Sequence, residues 1–226
     1  MEIPNAVPVM TLPTATLFPQ ALLPLYIFEP RYRQMLTDTL KAGRMFSVAM
    51  QRPDRTRETP CTVAGLGLIR VSVDHSDGTS HLILQGVSRV ELGAAVQSKP
   101  YRVHAIRPLQ PQPADSVTID ALVAKVHELV ERRVGLGGLP FPFPISKSGD
   151  EAESPPTSSA SAAEILTYLE KLPDADQVAD LVSCALLSEA GHRQTILETV
   201  EVEPRLKHLV HFLLAEIERQ KKIFNS

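Results

Sequence analysis

A chain of 226 residues, 43% hydrophobic and 22% charged, is long enough for one large or two small domains and needs no metal or disulfide to fold. Its formal charge of −3 argues against a strongly electrostatic nucleic-acid binder. Two cysteines, Cys61 and Cys184, lie far apart, which rules out a four-thiol zinc site or a disulfide scaffold and fits a reducing, cytoplasmic location.

No charged residue occurs from Ile3 to Phe28, a length that nominally spans a bilayer. Pro4, Pro8, Pro13, Pro19 and Pro24 interrupt it, however, and a lipid-exposed helix broken so often leaves amides unpaired. No signal-peptide pattern is present, so this stretch reads as extended chain in a soluble fold with no membrane contact. Within it, Leu22 to Phe28 is an apolar run with aromatic and branched members, the pattern of a strand buried on both faces.

Glu29-Pro30 starts a helix, because proline is tolerated at the first helical position. Tyr32, Met35, Leu36, Thr39 and Leu40 follow at helical spacing, with Gly43 as C-cap. Met45 to Met50 is strand-like, and residues 51–60 form a polar loop. From Cys61 the period becomes two: Val63, Ile69, Val71 and Val73 share a parity, and Gly65 and Gly67 mark a bend or bulge. Asp77-Gly78 signals a two-residue hairpin turn. Leu82 and Leu84, then the apolar positions of Val87 to Val96, return as further strands, and Tyr101 to Ile106 is the last. Short strands at this spacing with one early helix suggest a compact barrel.

Pro108, Pro111 and Pro113 form a stiff spacer, and helix follows. Ser116 caps a helix bearing Ile119, Leu122, Val123, Val126, Leu129 and Val130, closed by Gly135. Residues 135–159 are a Gly/Pro/Ser-rich loop, expected to be exposed. Ser161 and Glu164 make a capping box for the next helix, which Pro173 ends. Asp174 or Asp176 caps another with Val178, Leu181, Val182 and Leu186. Pro204 opens the last, burying Leu206, Leu209, Val210, Leu213, Leu214 and Ile217. Residues 1–110 hold 12 Lys and Arg against 8 acidic residues, and residues 111–226 hold 11 against 18.

Residues able to do chemistry are few. There is no phosphate-binding loop, and Gly65-Leu66-Gly67 lacks the third glycine of a dinucleotide site. His208 and His211, three apart on the last helix, lack a third metal ligand. Asp74, His75, Asp77 and His81 have the composition of a solvated turn. Cys184 sits in an apolar stretch as a small core residue, and no serine lies in a nucleophile elbow. The residues therefore point to a binding protein with no catalytic residue, metal or cofactor.

Leu17-Phe18-Pro19, followed by the segment from Leu23 to Leu36 (LPLYIFEPRYRQML), resembles the signature of the substrate-binding domain of Lon, the ATP-dependent protease La. Cys61-Thr62-Val63-Ala64, Leu84 to Arg89, Pro100 to Val103 and the closing stretch from Leu197 to Glu218 extend the likeness over nearly the whole chain. The resemblance implies an α+β fold: a PUA-like barrel with one early helix over 1–110, then a helical bundle over 111–226. It also implies a stand-alone Lon-domain protein without Lon's ATPase and Ser-Lys peptidase domains. Its expected role is to bind exposed apolar segments of unfolded polypeptides, or a specific protein partner, as an adaptor for proteolysis. RNA binding by the barrel is the alternative. Leu22, Leu23, Tyr26 and Phe28 are the candidate peptide-binding residues. Glu29, Pro30, Arg31 and Tyr32 are expected to be structural: Glu29 and Arg31 flank Pro30 and hold the strand-to-helix turn, and Tyr32 joins Leu25, Ile27 and Phe28 in the core. Oligomeric state is not legible.

Overall fold

The computed structural model describes residues 2–55, 57–112, 116–137, 139–140 and 162–224. The chain divides into two compact units, 1–110 and 111–226. The first holds β1 (Ala6–Leu12), β2 (Leu22–Ile27), α1 (Pro30–Lys41), β3 (Met45–Met50), β4 (Val63–Asp74), β5 (Ser80–Gln97) and β6 (Arg102–Leu109). They form a mixed sheet in the order β2-β5-β4-β3-β1-β6, in which only β1 and β3 run parallel. β6 also pairs with the distal part of β5, so β5, β4, β3, β1 and β6 are linked in a cycle of pairings.

Two apolar clusters hold this unit, and β3 shows why its sequence is apolar throughout. Phe46 and Val48 enter a cluster with Met10, Leu17, Ile27, Tyr32, Leu36 and Leu84. Met45 and Ala49 enter the other, with Val7, Val9, Leu66 and Val90. Side chains alternate across a strand, so a strand between two cores must be apolar at both parities. Each of the larger side chains among them, such as Phe46 or Val48, contributes about 1.5–3 kcal/mol when fully buried.

The chain between β1 and β2 crosses the sheet at Gly86, where a Cβ would lie 1.9 Å from the carbonyl oxygen of Phe18. The absence of a side chain there lets Leu17 and Phe18 bury completely.

Several local expectations are corrected. The stretch from Leu82 to Val96 is one continuous strand, β5, rather than several. The parity of Val63, Ile69, Val71 and Val73 is broken by register shifts at Leu66/Gly67 and Ile69/Val71, so Ile69 is buried while Val71 and Val73 are exposed. The hairpin turn is longer than two residues. Gly78 N–H donates to His75 C=O at 2.9 Å, Asp77 Oδ1 accepts from Thr79, and only Gly78, at φ 78°, is left-handed. α1 ends at Lys41 with Ala42 as its C-cap, and Arg44 rather than Gly43 takes positive φ.

The second unit contains α2 (Val117–Gly135), α3 (Ala162–Glu170), α4 (Ala175–Leu186), α5 (Ala190–Glu198) and α6 (Val202–Phe224). Ser116 Oγ accepts from Ile119 N–H at 3.2 Å, the N-cap bond its position calls for. The left-handed glycine after α2 is Gly137, not Gly135. Asp174 occupies the N-cap of α4, but its carboxylate takes the Gln177 side chain instead of a backbone amide. Val210 is only partly buried and Leu214 is exposed on α6, whose buried stripe is Leu206, Leu209, Leu213 and Ile217. Ser161 and most of the 135–159 loop lie outside the described residues.

Charged groups buried in this unit are bonded. Arg205 reaches Asp180 at 3.2 Å, the Thr199 carbonyl at 2.8 Å and the Val200 carbonyl. Glu216 accepts from the Ser188 amide and hydroxyl and pairs with Arg219. Burial pushes the Glu216 carboxyl up, but those bonds outweigh it and hold it below the usual range.

Candidate functional site

The site is built on β2. Leu23, Leu25 and Ile27 turn inward to the Phe46 cluster, while Leu22, Pro24, Tyr26 and Phe28 face solvent. Leu22 is 51% exposed, Tyr26 48% and Phe28 58%. This corrects two expectations: the run is not buried on both faces, and Phe28 is not in the core. A strand can be apolar at both parities because one face packs and the other is left open. Composition alone does not separate that case from double burial. Of the four candidate peptide-binding residues, Leu22, Tyr26 and Phe28 therefore share a surface. Leu23 lies on the opposite face.

Pairing extends this surface across three strands. Pro24, Ile83 and Val71 fall in one cross-strand row, and Tyr26, His81 and Val73 in the next. Ile83, Val71 and Val73 are exposed as well. The Tyr26 ring stacks on Phe28 at 5.7 Å and on His81 at 4.7 Å. His81 meets His75 edge-on, with Nδ1 and Nε2 2.7 Å apart. A contiguous apolar patch of this kind, rimmed by polar groups, is the usual mark of an interaction site. Sequence reasoning did not find Val71, Val73, Ile83 and His81. The Asp77-Gly78 turn sets their register, but the Ile69/Val71 bulge turns the valines outward.

The turn after β2 fixes where Phe28 stands. Pro30 is the first residue of α1, and Glu29 N-caps it through its backbone carbonyl, which accepts from Tyr32 and Arg33. Arg31 bridges Glu29 at 2.9 Å and Glu58 at 2.6 Å, and lies 4.3 Å from the Tyr32 ring centroid. Burial alone would lower the Arg31 guanidinium. The bonds to Glu58 and Glu29 outweigh it and hold the charge above its ordinary value. Tyr32, buried, accepts from the Thr11 amide at 3.1 Å and donates to the Thr11 carbonyl at 3.2 Å. Burial pushes its phenol up, so the hydroxyl stays protonated.

A shallow cleft of about 600 Å³ runs between α1 and the β4–β5 hairpin, lined by Arg33, Thr37, Lys41, Asp74 and Ser80. Among the described residues no group of three or more His, Cys, Asp or Glu is placed to hold a metal ion. His208 bonds Thr199, and His211 packs edge-on against Phe212. Burial pushes the Cys184 thiol up to about 11, which leaves it unreactive at neutral pH. No helix among the described residues is long and apolar enough to cross a membrane.

The model of the ATP-dependent protease La (LON) substrate-binding domain matches residues 6–215. The Lon protease of Dictyoglomus thermophilum is 21% identical over 220 residues, which are 96% of this chain and 25% of that protein. Lon protease 2 of Bdellovibrio bacteriovorus is 25% identical over 225 residues, with the same coverage. The chain thus spans about a quarter of the length of these curated relatives. Among solved structures, the N-terminal domain of the Mycobacterium avium complex Lon protease aligns with a TM-score of 0.69 at 19% identity, covering 92% of this chain and 97% of that one. A Lon N-terminal domain protein from Xanthomonas campestris aligns with a TM-score of 0.62 at 18% identity, covering 92% and 98%. Both likenesses concern the fold.

Proposed function

The chain belongs to the ATP-dependent protease La (LON) substrate-binding domain family, and from that premise we propose that it recognises exposed apolar segments of unfolded polypeptides. The observation that carries this reading is the open apolar face of β2, β5 and β4. On it Leu22, Tyr26 and Phe28 are about half exposed beside Val71, Val73 and Ile83. Leaving these side chains in water costs stability, and covering them with a client's apolar residues recovers part of it. Leu23 serves from the other face by anchoring β2. Glu29, Pro30, Arg31 and Tyr32 act structurally, setting the position of Phe28.

In this reading residues 1–110 form a PUA-like barrel, supported by the cycle of pairings through β5, β4, β3, β1 and β6. The helical unit completes a non-catalytic recognition module without cofactor, which hands clients to a protease as an adaptor. Its two cysteines, Cys61 and Cys184, form no disulfide, which suits the cytoplasm.

Burying a few half-exposed side chains, less the cost of association, gives about micromolar affinity with little salt dependence. RNA behaves oppositely, because each neutralised phosphate releases counterions. Titrating a labelled unfolded protein and a labelled single-stranded RNA at low and moderate salt separates the two. The expected result is salt-insensitive binding of the unfolded protein. Salt-sensitive RNA binding with no client binding overturns the reading.

A further inference from the structure

β2 is the end strand of the sheet order and pairs with β5 alone. The phase of that pairing says where its backbone groups point. Gly86 N–H donates to Ala21 C=O at 2.8 Å, so Ala21 faces Gly86, and the register continues with Leu23 facing Leu84, Leu25 facing Leu82 and Ile27 facing Ser80. N–H and C=O of one residue share a lateral direction, and that direction alternates along a strand. The groups of Leu22, Pro24 and Tyr26 therefore point away from β5. Among the described residues no backbone partner meets them. These are the same residues whose side chains stand on the open apolar face.

Resting on the reading of that face as the client site, we infer that the client binds as an added antiparallel β-strand along the outer edge of β2, the orientation in which directly opposite residues exchange both backbone bonds. Leu22 and Tyr26 each offer one donor and one acceptor, and Pro24 offers an acceptor only. A client residue paired with one of them puts its side chain on the same face. Apolar residues at every second position thus lie against Leu22, Pro24 and Tyr26.

Backbone groups rather than charge define the occupant. Arg70 is exposed next to Val71, but Asp74 and Asp77 stand nearby bonded to the neutral groups of Ser80 and Thr79, and Glu29 is paired with Arg31. The matching occupant is an extended segment, apolar at alternate positions and polar between them, whose backbone meets the unpaired groups of Leu22, Pro24 and Tyr26. A second copy of β2 fits poorly. Antiparallel pairing centred on Pro24 sets each Pro24 carbonyl against a proline nitrogen that has no hydrogen to donate, the way proline protects an edge strand from self-association.

The probe is a heptapeptide with apolar residues at positions 2, 4 and 6 and serine at 1, 3, 5 and 7. It is compared with two backbone variants, one N-methylated at positions 2, 4 and 6 and one at 3 and 5. Methylation leaves the side chains in place and removes only backbone donors. The inference expects the first variant to bind about tenfold or more weakly than the parent and the second to bind within about threefold of it. Equal binding by both variants overturns strand addition while leaving apolar recognition in place. No binding by the parent peptide, under conditions where an unfolded protein binds, also overturns it. If neither the peptide nor an unfolded protein binds, the underlying reading of the face falls as well.

Discussion

Replacing Tyr32 with alanine lowers the unfolding free energy by about 3–5 kcal/mol, the range for truncating a buried aromatic. Two losses add here. The ring leaves the cluster formed with Met10, Leu36 and Phe46, where it is almost wholly buried. Its hydroxyl also serves both backbone groups of Thr11. β6 pairs with β1 only over Ala6–Val9, and β3 with Val9–Leu12, so one edge of β1 is bare at Thr11. Tyr32 fills that gap from the helix side. Tyr32→Phe keeps the ring and strands the Thr11 amide and carbonyl, at about 1–3 kcal/mol. Denaturant unfolding with an unchanged slope reads both values. If Tyr32→Ala unfolds like the parent yet loses client binding, the residue belongs to the binding surface and not to the turn.

The second large effect is in the helical unit. Arg205 is fully buried and holds Asp180, the Thr199 carbonyl and the Val200 carbonyl together. Arg205→Ala leaves a buried carboxylate without its guanidinium and two carbonyls without a donor. The cost is about 3–5 kcal/mol, because an uncompensated buried charge is worse than no charge at all. Asp180→Ala added to Arg205→Ala costs less than the sum of the two single changes, since the two side chains share one contact that either change removes. A strictly additive double-mutant cycle contradicts this account of the pair.

Much of the architecture is legible from residue spacing. The strand, turn and helix of LPLYIFEPRYRQML follow from its apolar run, its proline at the first helical position and its 3.6-residue stripe. Leu206, Leu209, Leu213 and Ile217 mark the buried face of α6 in the same way. α5 gave no such signal, because Arg193 and Gln194 are buried within it alongside Ile196 and Leu197. The sheet is harder to read. A bulge between Ile69 and Val71 reverses which valines face the core, and no local preference of those residues marks it. The continuity of β5 is equally silent in sequence, since its two stretches pair with different neighbours.

For the site, Leu22, Tyr26 and Phe28 stand out in the sequence only as members of one apolar run, which reads equally well as a strand buried on both faces. Leu23 was placed with them because a run of leucines shows no parity. Val71, Val73, Ile83 and His81 join through strand register, a property of long-range pairing that no short segment carries.

The central claim is that the open face of β2, β5 and β4 holds the client. Its most direct measurement is the affinity of a Tyr26→Ser, Phe28→Ser chain for a labelled unfolded protein, taken with its melting temperature. Both side chains are about half exposed, so their loss leaves the fold's stability close to the parent's. The account predicts a Kd weaker by about tenfold or more at a melting temperature close to the parent's. Client affinity equal to the parent's, in a chain that melts like the parent, contradicts it.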